Sequence, residues 1–169
     1  RQVRRSVRKP LIEFSPKYLL RAKESRSRVE ELERGSFQEV LDDASIGDAS
    51  SVRRVVLCSG KVAFDLMKRR DERQVPAAVV RVEQLYPWPE QQIRDVVDRY
   101  ENADSVFWVQ EEPENMGPWP FTGGHLAQLV HIPNLMAARE RCDLVAIAEV
   151  RPKLAAQVAA HWRIPRVYR

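Results

Sequence analysis

Arg54-Val55-Val56-Leu57-Cys58-Ser59-Gly60-Lys61-Val62-Ala63-Phe64-Asp65-Leu66-Met67-Lys68-Arg69-Arg70 reads as strand, turn and helix in one short stretch. Val55, Val56 and Leu57 form a brief β-branched and aliphatic run suited to a buried strand. Ser59-Gly60 breaks it, and Gly supplies the backbone freedom that a tight strand-to-helix turn needs. From Val62 the apolar spacing changes to that of a helix, with Val62 and Leu66 four apart and Ala63 and Met67 beside them. The helix is expected over Val62–Arg70.

The same rhythm repeats downstream. Ala77–Val82 is expected as a second strand, and Glu90–Tyr100 as an amphipathic helix with Ile93, Val96, Val97 and Tyr100 on one face. Ser105–Val109 is expected as a third strand and Gly123–Val130 as a helix. Leu144–Ala148 follows as a fourth strand and Lys153–His161 as a last helix. Strands alternating with helices predict an α/β fold, a Rossmann-like three-layer sandwich around a mostly parallel sheet. In such sheets, chemistry collects in the loops after the strands' carboxyl ends. Those loops are Cys58–Lys61, Glu83–Pro89, Gln110–Trp119 and Glu149–Pro152.

The amino-terminal third lacks this order. Leu11–Phe14 reads as a short extended run, and Ser15-Pro16 as an N-cap followed by proline at the first position of a short helix, Pro16–Lys23. Residues 24–52 show no sustained period and contain Arg34-Gly35-Ser36 and Ile46-Gly47-Asp48. They are expected as a surface linker with a short acidic helix near Val29–Glu33.

The chain has 169 residues, 44% hydrophobic and 31% charged, which suits one globular domain with a little left over. No apolar run approaches the ~18 residues of a membrane span, and no secretory signal is visible. Cys58 and Cys142 show neither metal-ligand spacing nor a disulfide framework, so a reduced, intracellular protein is expected. The first residue is Arg1, which suits a piece of a larger protein.

Net charge is +4, unevenly spread: residues 1–28 carry +8 and the remainder −4. A basic arm of this kind can grip nucleic acid or another polyanion. However, no aromatic residues interleave Arg1–Lys9 as a single-strand platform requires, which favours a solvated or domain-docking strip without nucleic acid or membrane.

Candidate chemistry is sparse. Ser59-Gly60-Lys61 could rest a phosphate on a helix N-terminus, but Val62 stands where a phosphate-binding loop needs serine or threonine. Glu111-Glu112-Pro113 follows a strand, where neighbouring side chains point oppositely, so a structural or interface role is favoured over paired catalytic acids. His125, His131 and His161 fit no zinc pattern. Cys58, at a buried strand end, reads as an inert core thiol, although a Cys-His pair stays open. Trp88 and Trp119 sit in strand-exit loops, where an interface and packing over the sheet are both open readings. Lys17 and Arg21 lie four apart, so on a helix they would share one face, either around an anion or in solvent. There is no catalytic or metal-pyrophosphate motif, so no catalytic centre is recognisable.

Four strings nevertheless belong together. Arg8-Lys9-Pro10-Leu11-Ile12-x-Phe14-Ser15-Pro16-Lys17-x-Leu19-Leu20-Arg21 resembles the RKPLIxxTPKSLLR segment of the thiamine-dependent 2-oxoglutarate dehydrogenases. Val56–Val62 resembles their LCSGKV turn, and Val80–Pro89 their VRIEQLYPFP strand. Gln110–Trp119 resembles their QEEPxNQGAW loop. Tyr18 departs from the family's serine, Met116 and Pro118 from its Gln and Ala, and residues 121–169 diverge.

The resemblance implies a transketolase-like carboxyl-terminal domain over 53–169, a linker over 24–52, and the last strand and helix of a preceding pyrimidine-binding domain over 1–23. It implies oxidative decarboxylation of 2-oxoglutarate on thiamine diphosphate and Mg2+, held by upstream domains and not by this chain. The succinyl group would then pass to a lipoyl group of a dihydrolipoamide succinyltransferase partner. It also implies a homodimer in the bacterial cytoplasm or the mitochondrial matrix, and an allosteric site for AMP or acetyl-CoA at Lys17 and Arg21, with Lys61 and Gln110 as weaker neighbours. No catalytic residue is expected in the chain itself. The alternative is a stand-alone regulatory module for an adenine nucleotide or coenzyme A.

Overall fold

The computed structural model describes residues 16–137, 146–148 and 152–168. In chain order the elements are α1 (Val29–Arg34), β1 (Val40–Leu41), β2 (Arg54–Cys58), α2 (Val62–Arg73), β3 (Ala77–Val82), α3 (Glu90–Arg99) and β4 (Ser105–Val109). Then come α4 (Trp119–Leu126), a π-helical turn (Ala127–His131), α5 (Ile132–Ala137), β5 (Ala146–Ala148), α6 (Pro152–Trp162) and β6 (Arg166–Tyr168).

The main sheet has the order β1-β3-β2-β4. Strand β2 runs parallel to both β3 and β4, with Leu57 level with Val80 on one side and Trp108 on the other. Only β1 is antiparallel, Val40 pairing with Val82. Because side chains alternate along a strand, the sheet has two buried faces. Val55, Leu57, Ala78, Val80 and Val82 pack with Ile93 and Tyr100 of the α3 region and with Leu126, Leu129 and Val130 after β4. Cys58 and Val79 face the other way, onto Ala63, Val62, Leu66 and Met67 of α2. Helices therefore cover both faces, and the expected three-layer α/β architecture with a mostly parallel sheet stands.

Strands β2, β3 and β4 keep the expected bounds, and α2 runs three residues further than its spacing predicts. Elsewhere the structure departs from expectation. Pro16–Lys23 is not a helix. It makes two turns closed by Leu19 N–H to Pro16 O (3.1 Å) and Ala22 N–H to Tyr18 O (3.1 Å). The Ser25 hydroxyl bonds to the carbonyls of Leu19 and Ala22, which a continuing helix would offer to its own N–H groups. The Leu11–Phe14 strand, Ser15 and Cys142 lie outside the described residues.

Within 24–52, the short acidic helix is present as α1 and buries none of its residues. The stretch after it is not surface throughout. Strand β1 is an edge of the main sheet, and Glu39 O accepts the N–H groups of Glu83 (2.9 Å) and Gln84 (3.1 Å). Val40, Asp43 and Val52 are buried.

Asp43 is the organising residue of this segment. Its carboxylate bonds the guanidinium of Arg70 on α2 and accepts the backbone N–H of Val79 on β3 (2.8 Å). The Ser45 hydroxyl donates to Asp43 (2.6 Å) and accepts from Arg70 (2.9 Å). The Asp43 and Arg70 side chains are only 2% and 8% exposed, so one ion pair ties the edge segment, α2 and β3 together away from water.

The helix expected over Gly123–Val130 begins earlier, at Trp119, and passes through the π turn. Leu144 and Val145 lie outside the described residues. Ala146–Ala148 is a strand but does not extend the main sheet: it pairs in parallel with Arg166–Tyr168. That β5-α6-β6 unit places helix α6 as the crossover that two parallel strands require. Ile132, Val158, Ala159 and Ile164 form a separate small core, against which Met136, Leu154 and Trp162 pack. Among the described residues no helix is long and apolar enough to cross a membrane.

Candidate functional site

The carboxyl ends of β2 and β4 bring two of the expected loops together. Gly60 has φ +77°, the left-handed conformation that its place in the strand-to-helix turn requires. Next to it Lys61 opens α2, and its ammonium bonds the Glu111 carboxylate at 2.7 Å across the gap to the loop after β4. The hydrogen bond and charge of Glu111 hold the Lys61 ammonium above its ordinary range, and the nearby Asp65 and Tyr18 add to this.

Gln110 organises the loop that carries Glu111. Its amide nitrogen faces the carbonyls of Glu112 (3.0 Å), Pro113 (3.2 Å) and Met116 (2.9 Å). Its amide oxygen accepts the Trp108 indole N–H and the Trp119 backbone N–H, both at 3.0 Å. One side chain thus binds the strand end, the loop and the start of α4. Gly117 closes the turn at φ +65°, and a Cβ there would lie 2.9 Å from a Glu112 carboxylate oxygen. Glu111 and Glu112 therefore go to different places, one to Lys61 and one back onto its own loop.

A pocket of about 350 Å³ opens at this loop, lined by Trp108, Val109, Gln110, Glu112, Glu114 and Trp119. Beside it, the β3 exit loop packs aromatic rings against α4. Trp88 stacks on His125 (5.3 Å between centroids), and Phe121 meets Trp88 edge-on at 6.2 Å. Tyr86 extends the cluster towards solvent at 6.3 Å from Phe121.

The four residues expected to form an anion site are not equivalent. Lys17 and Arg21 are exposed on the amino-terminal turns, without the helical face expected of them. The Tyr18 phenol between them lies near enough to Lys61 to act on its charge. Lys61 is at the loop junction, engaged by Glu111. Gln110 has both ends of its amide committed to the loop, so it positions other groups. Neither Asp43 nor the full reach of Gln110 is named in the sequence reading. Asp43 carries no signal, whereas a glutamine between a strand end and a loop rich in Pro and Gly is one that could have been read.

Packing places several of the remaining candidates; the side chain of His131 lies outside the described ones. Cys58 is fully buried, and burial pushes its thiol up to about 12, as expected of an inert core cysteine. Trp88 packs against the main core and Trp119 starts α4. His161 meets Trp162 edge-on. Among the described residues no group of three His, Cys, Asp or Glu could hold a metal ion.

Residues 26–159 match the model of the family described as 2-oxoglutarate dehydrogenase C-terminal. The chain belongs to the 2-oxoglutarate dehydrogenase C-terminal family. It is 46% identical over 130 residues to the 2-oxoglutarate dehydrogenase E1 component of Azotobacter vinelandii, which covers 76% of this chain and 14% of that protein. It is 42% identical over 129 residues to the E1 component of Cupriavidus necator, again 76% of this chain and 14% of the relative. The E1/E2 component of Corynebacterium glutamicum is 41% identical over 135 residues, 79% of this chain and 11% of that protein. The chain thus spans about a seventh or less of the length of these relatives. The matched family segment contains the β2–α2 turn, the β3 exit and the Gln110–Trp119 loop, and so the whole of the loop junction described above.

Proposed function

We propose that the chain is the carboxyl-terminal part of a 2-oxoglutarate dehydrogenase E1 component. The observation that carries this is the 46% identity over 130 residues to such a component. In this reading the longer protein decarboxylates 2-oxoglutarate on thiamine diphosphate with Mg2+ and passes the succinyl group to a lipoyl group of its succinyltransferase partner. The cofactor is held by upstream domains, so the isolated chain is inactive. Residues 53–169 form the transketolase-like domain, which contributes to a homodimer in the bacterial cytoplasm. Of the linker expected over residues 24–52, only the part before β1 connects it to the end of a preceding domain over 1–23, because β1 and the Asp43 segment join its main sheet and core.

The experiment is an assay of the longer polypeptide that contains this chain. With thiamine diphosphate, Mg2+ and an artificial electron acceptor it turns over 2-oxoglutarate, and the isolated chain gives no saturable heat on titration with thiamine diphosphate. Absence of turnover with any 2-oxo acid, or a clean binding isotherm for the isolated chain, overturns the reading.

The same reading places an adenine nucleotide or acetyl-CoA at Lys17, Arg21 and Lys61, with Gln110 fixing the loop beside them. It is supported by the exposure of Lys17 and Arg21 and by the partly exposed ammonium of Lys61 at the β2–α2 turn. An Arg21→Ala substitution then weakens nucleotide binding to the longer protein, and unchanged affinity removes the site.

A further inference from the structure

We propose that the pocket between Trp108 and Trp119 is a docking site for an arginine side chain presented by another protein. Its chemistry is that of a cation receptor. Trp108 and Trp119 line it, and an indole face attracts a cation through its ring quadrupole. Glu112 and Glu114 line the same pocket. Among the described residues neither carboxylate has an ion-pair partner, in contrast to Glu111 beside them.

The pocket is also held in shape before anything enters it. Gln110 ties the Trp108 indole N–H and the Trp119 backbone N–H to one amide oxygen, which fixes the Trp108 ring relative to the start of α4. Gly117 leaves the room in which the Glu112 carboxylate folds back on the loop. A preorganised receptor loses little entropy when it binds.

The choice of occupant follows from charge and shape. An anion is repelled by both glutamates, and a purely apolar group would strip water from them without return. A guanidinium is planar, stacks on aromatic faces and bonds carboxylates through a fork of N–H groups. A cavity of about 350 Å³, open to solvent, takes one such side chain and leaves the backbone that carries it outside. The site stands on these residues alone and does not depend on the reaction of the longer protein.

The test uses the 15N-labelled chain and the blocked tripeptide acetyl-Gly-Arg-Gly-amide, followed through the tryptophan indole N–H signals. Saturable shifts of the Trp108 and Trp119 signals are expected, with Trp162, in the separate small core, unmoved. The citrulline tripeptide, which keeps the shape and loses the charge, binds at least tenfold more weakly. Glu112→Gln and Glu114→Gln each weaken arginine binding several-fold, and the double variant loses it. Both glutamates are exposed, so these variants fold, which circular dichroism confirms. Equal responses to arginine and citrulline, no response to either, or unchanged affinity in the double variant overturns the proposal. Agmatine binding more tightly than the peptide indicates a small-molecule cation site and overturns the protein partner.

Discussion

Among the described residues two ion pairs attach helix α2 to the rest of the molecule, and they differ in almost everything except their chemistry. Near its carboxyl end Arg70 meets Asp43, with the two side chains 8% and 2% exposed. At its start Lys61 meets Glu111, with side chains 35% and 47% exposed. The first pair is enclosed and shares its charges with Ser45, Asp71 and the Val79 N–H. The second sits at the mouth of two loops, in water. Burial decides which can change partners. An enclosed charge has nowhere else to go, and removing its partner leaves it uncompensated. An exposed ammonium exchanges one anion for another at little cost. The same helix is thus riveted at one end and available at the other.

The strongest way to break this contrast is Asp43→Ala. It leaves the Arg70 guanidinium with only the exposed Asp71 carboxylate and Ser45 and opens the link between β1 and β3, so a loss of about 3 kcal/mol, the lower end for a broken buried pair, is expected. For a chain of this size that lowers the midpoint of thermal unfolding by on the order of 10 °C. A change within the error of calorimetry would show that the buried pair holds nothing.

Gln110→Ala comes next. It removes an amide that meets three carbonyls and two N–H groups, with an expected cost of about 1–3 kcal/mol. The loss is local. Amide hydrogen exchange should quicken across residues 111–119 and stay unchanged in β2 and β3, and uniform exchange throughout would contradict the clamp.

Glu111→Gln is the smallest in stability and sharpens the comparison most. No measurable shift in the thermal midpoint is expected at neutral pH. The linkage has a definite sign. The Lys61 pKa is raised above 10.5, so what the pair contributes is full below that pH and is lost as pH climbs past the raised value. Freed of its carboxylate, Lys61 should bind inorganic pyrophosphate several-fold more tightly, read by titration calorimetry at low salt. Equal affinity in the parent and the variant would show that Glu111 does not compete for the ammonium.

The distribution of what was legible follows the same line. Val55-Val56-Leu57, Ala77–Val82 and the Ile93-Val96-Val97 stripe announce their elements because burial over a whole strand or helix face leaves a period in the sequence. Gly60 announces a turn because few residues tolerate its φ. The Gln110–Trp119 loop was found as a string, while its internal wiring was not, since one amide bonding five backbone and indole groups leaves no pattern. Asp43 reads as one more acidic residue in a linker, and Val40-Leu41 is too short to carry a period. Ser25 gives no hint that it takes the carbonyls a helix after Pro16 would need. Ala146–Ala148 reads correctly as a strand, but not as one paired with Arg166–Tyr168.

By itself, then, the sequence determined the alternation of strands and helices, the α/β class, the loops that gather at the sheet's carboxyl edge and the kinship of those loops to a known family. These are properties of local spacing and of contiguous strings. The tertiary structure decided which acid pairs with which base, that the edge strand is antiparallel, and that Gln110 is bound into its loop while Lys61 meets Glu111 in water. Those outcomes depend on groups far apart in the chain sharing one water-free or water-open environment, and burial of that kind is set by the packed fold as a whole.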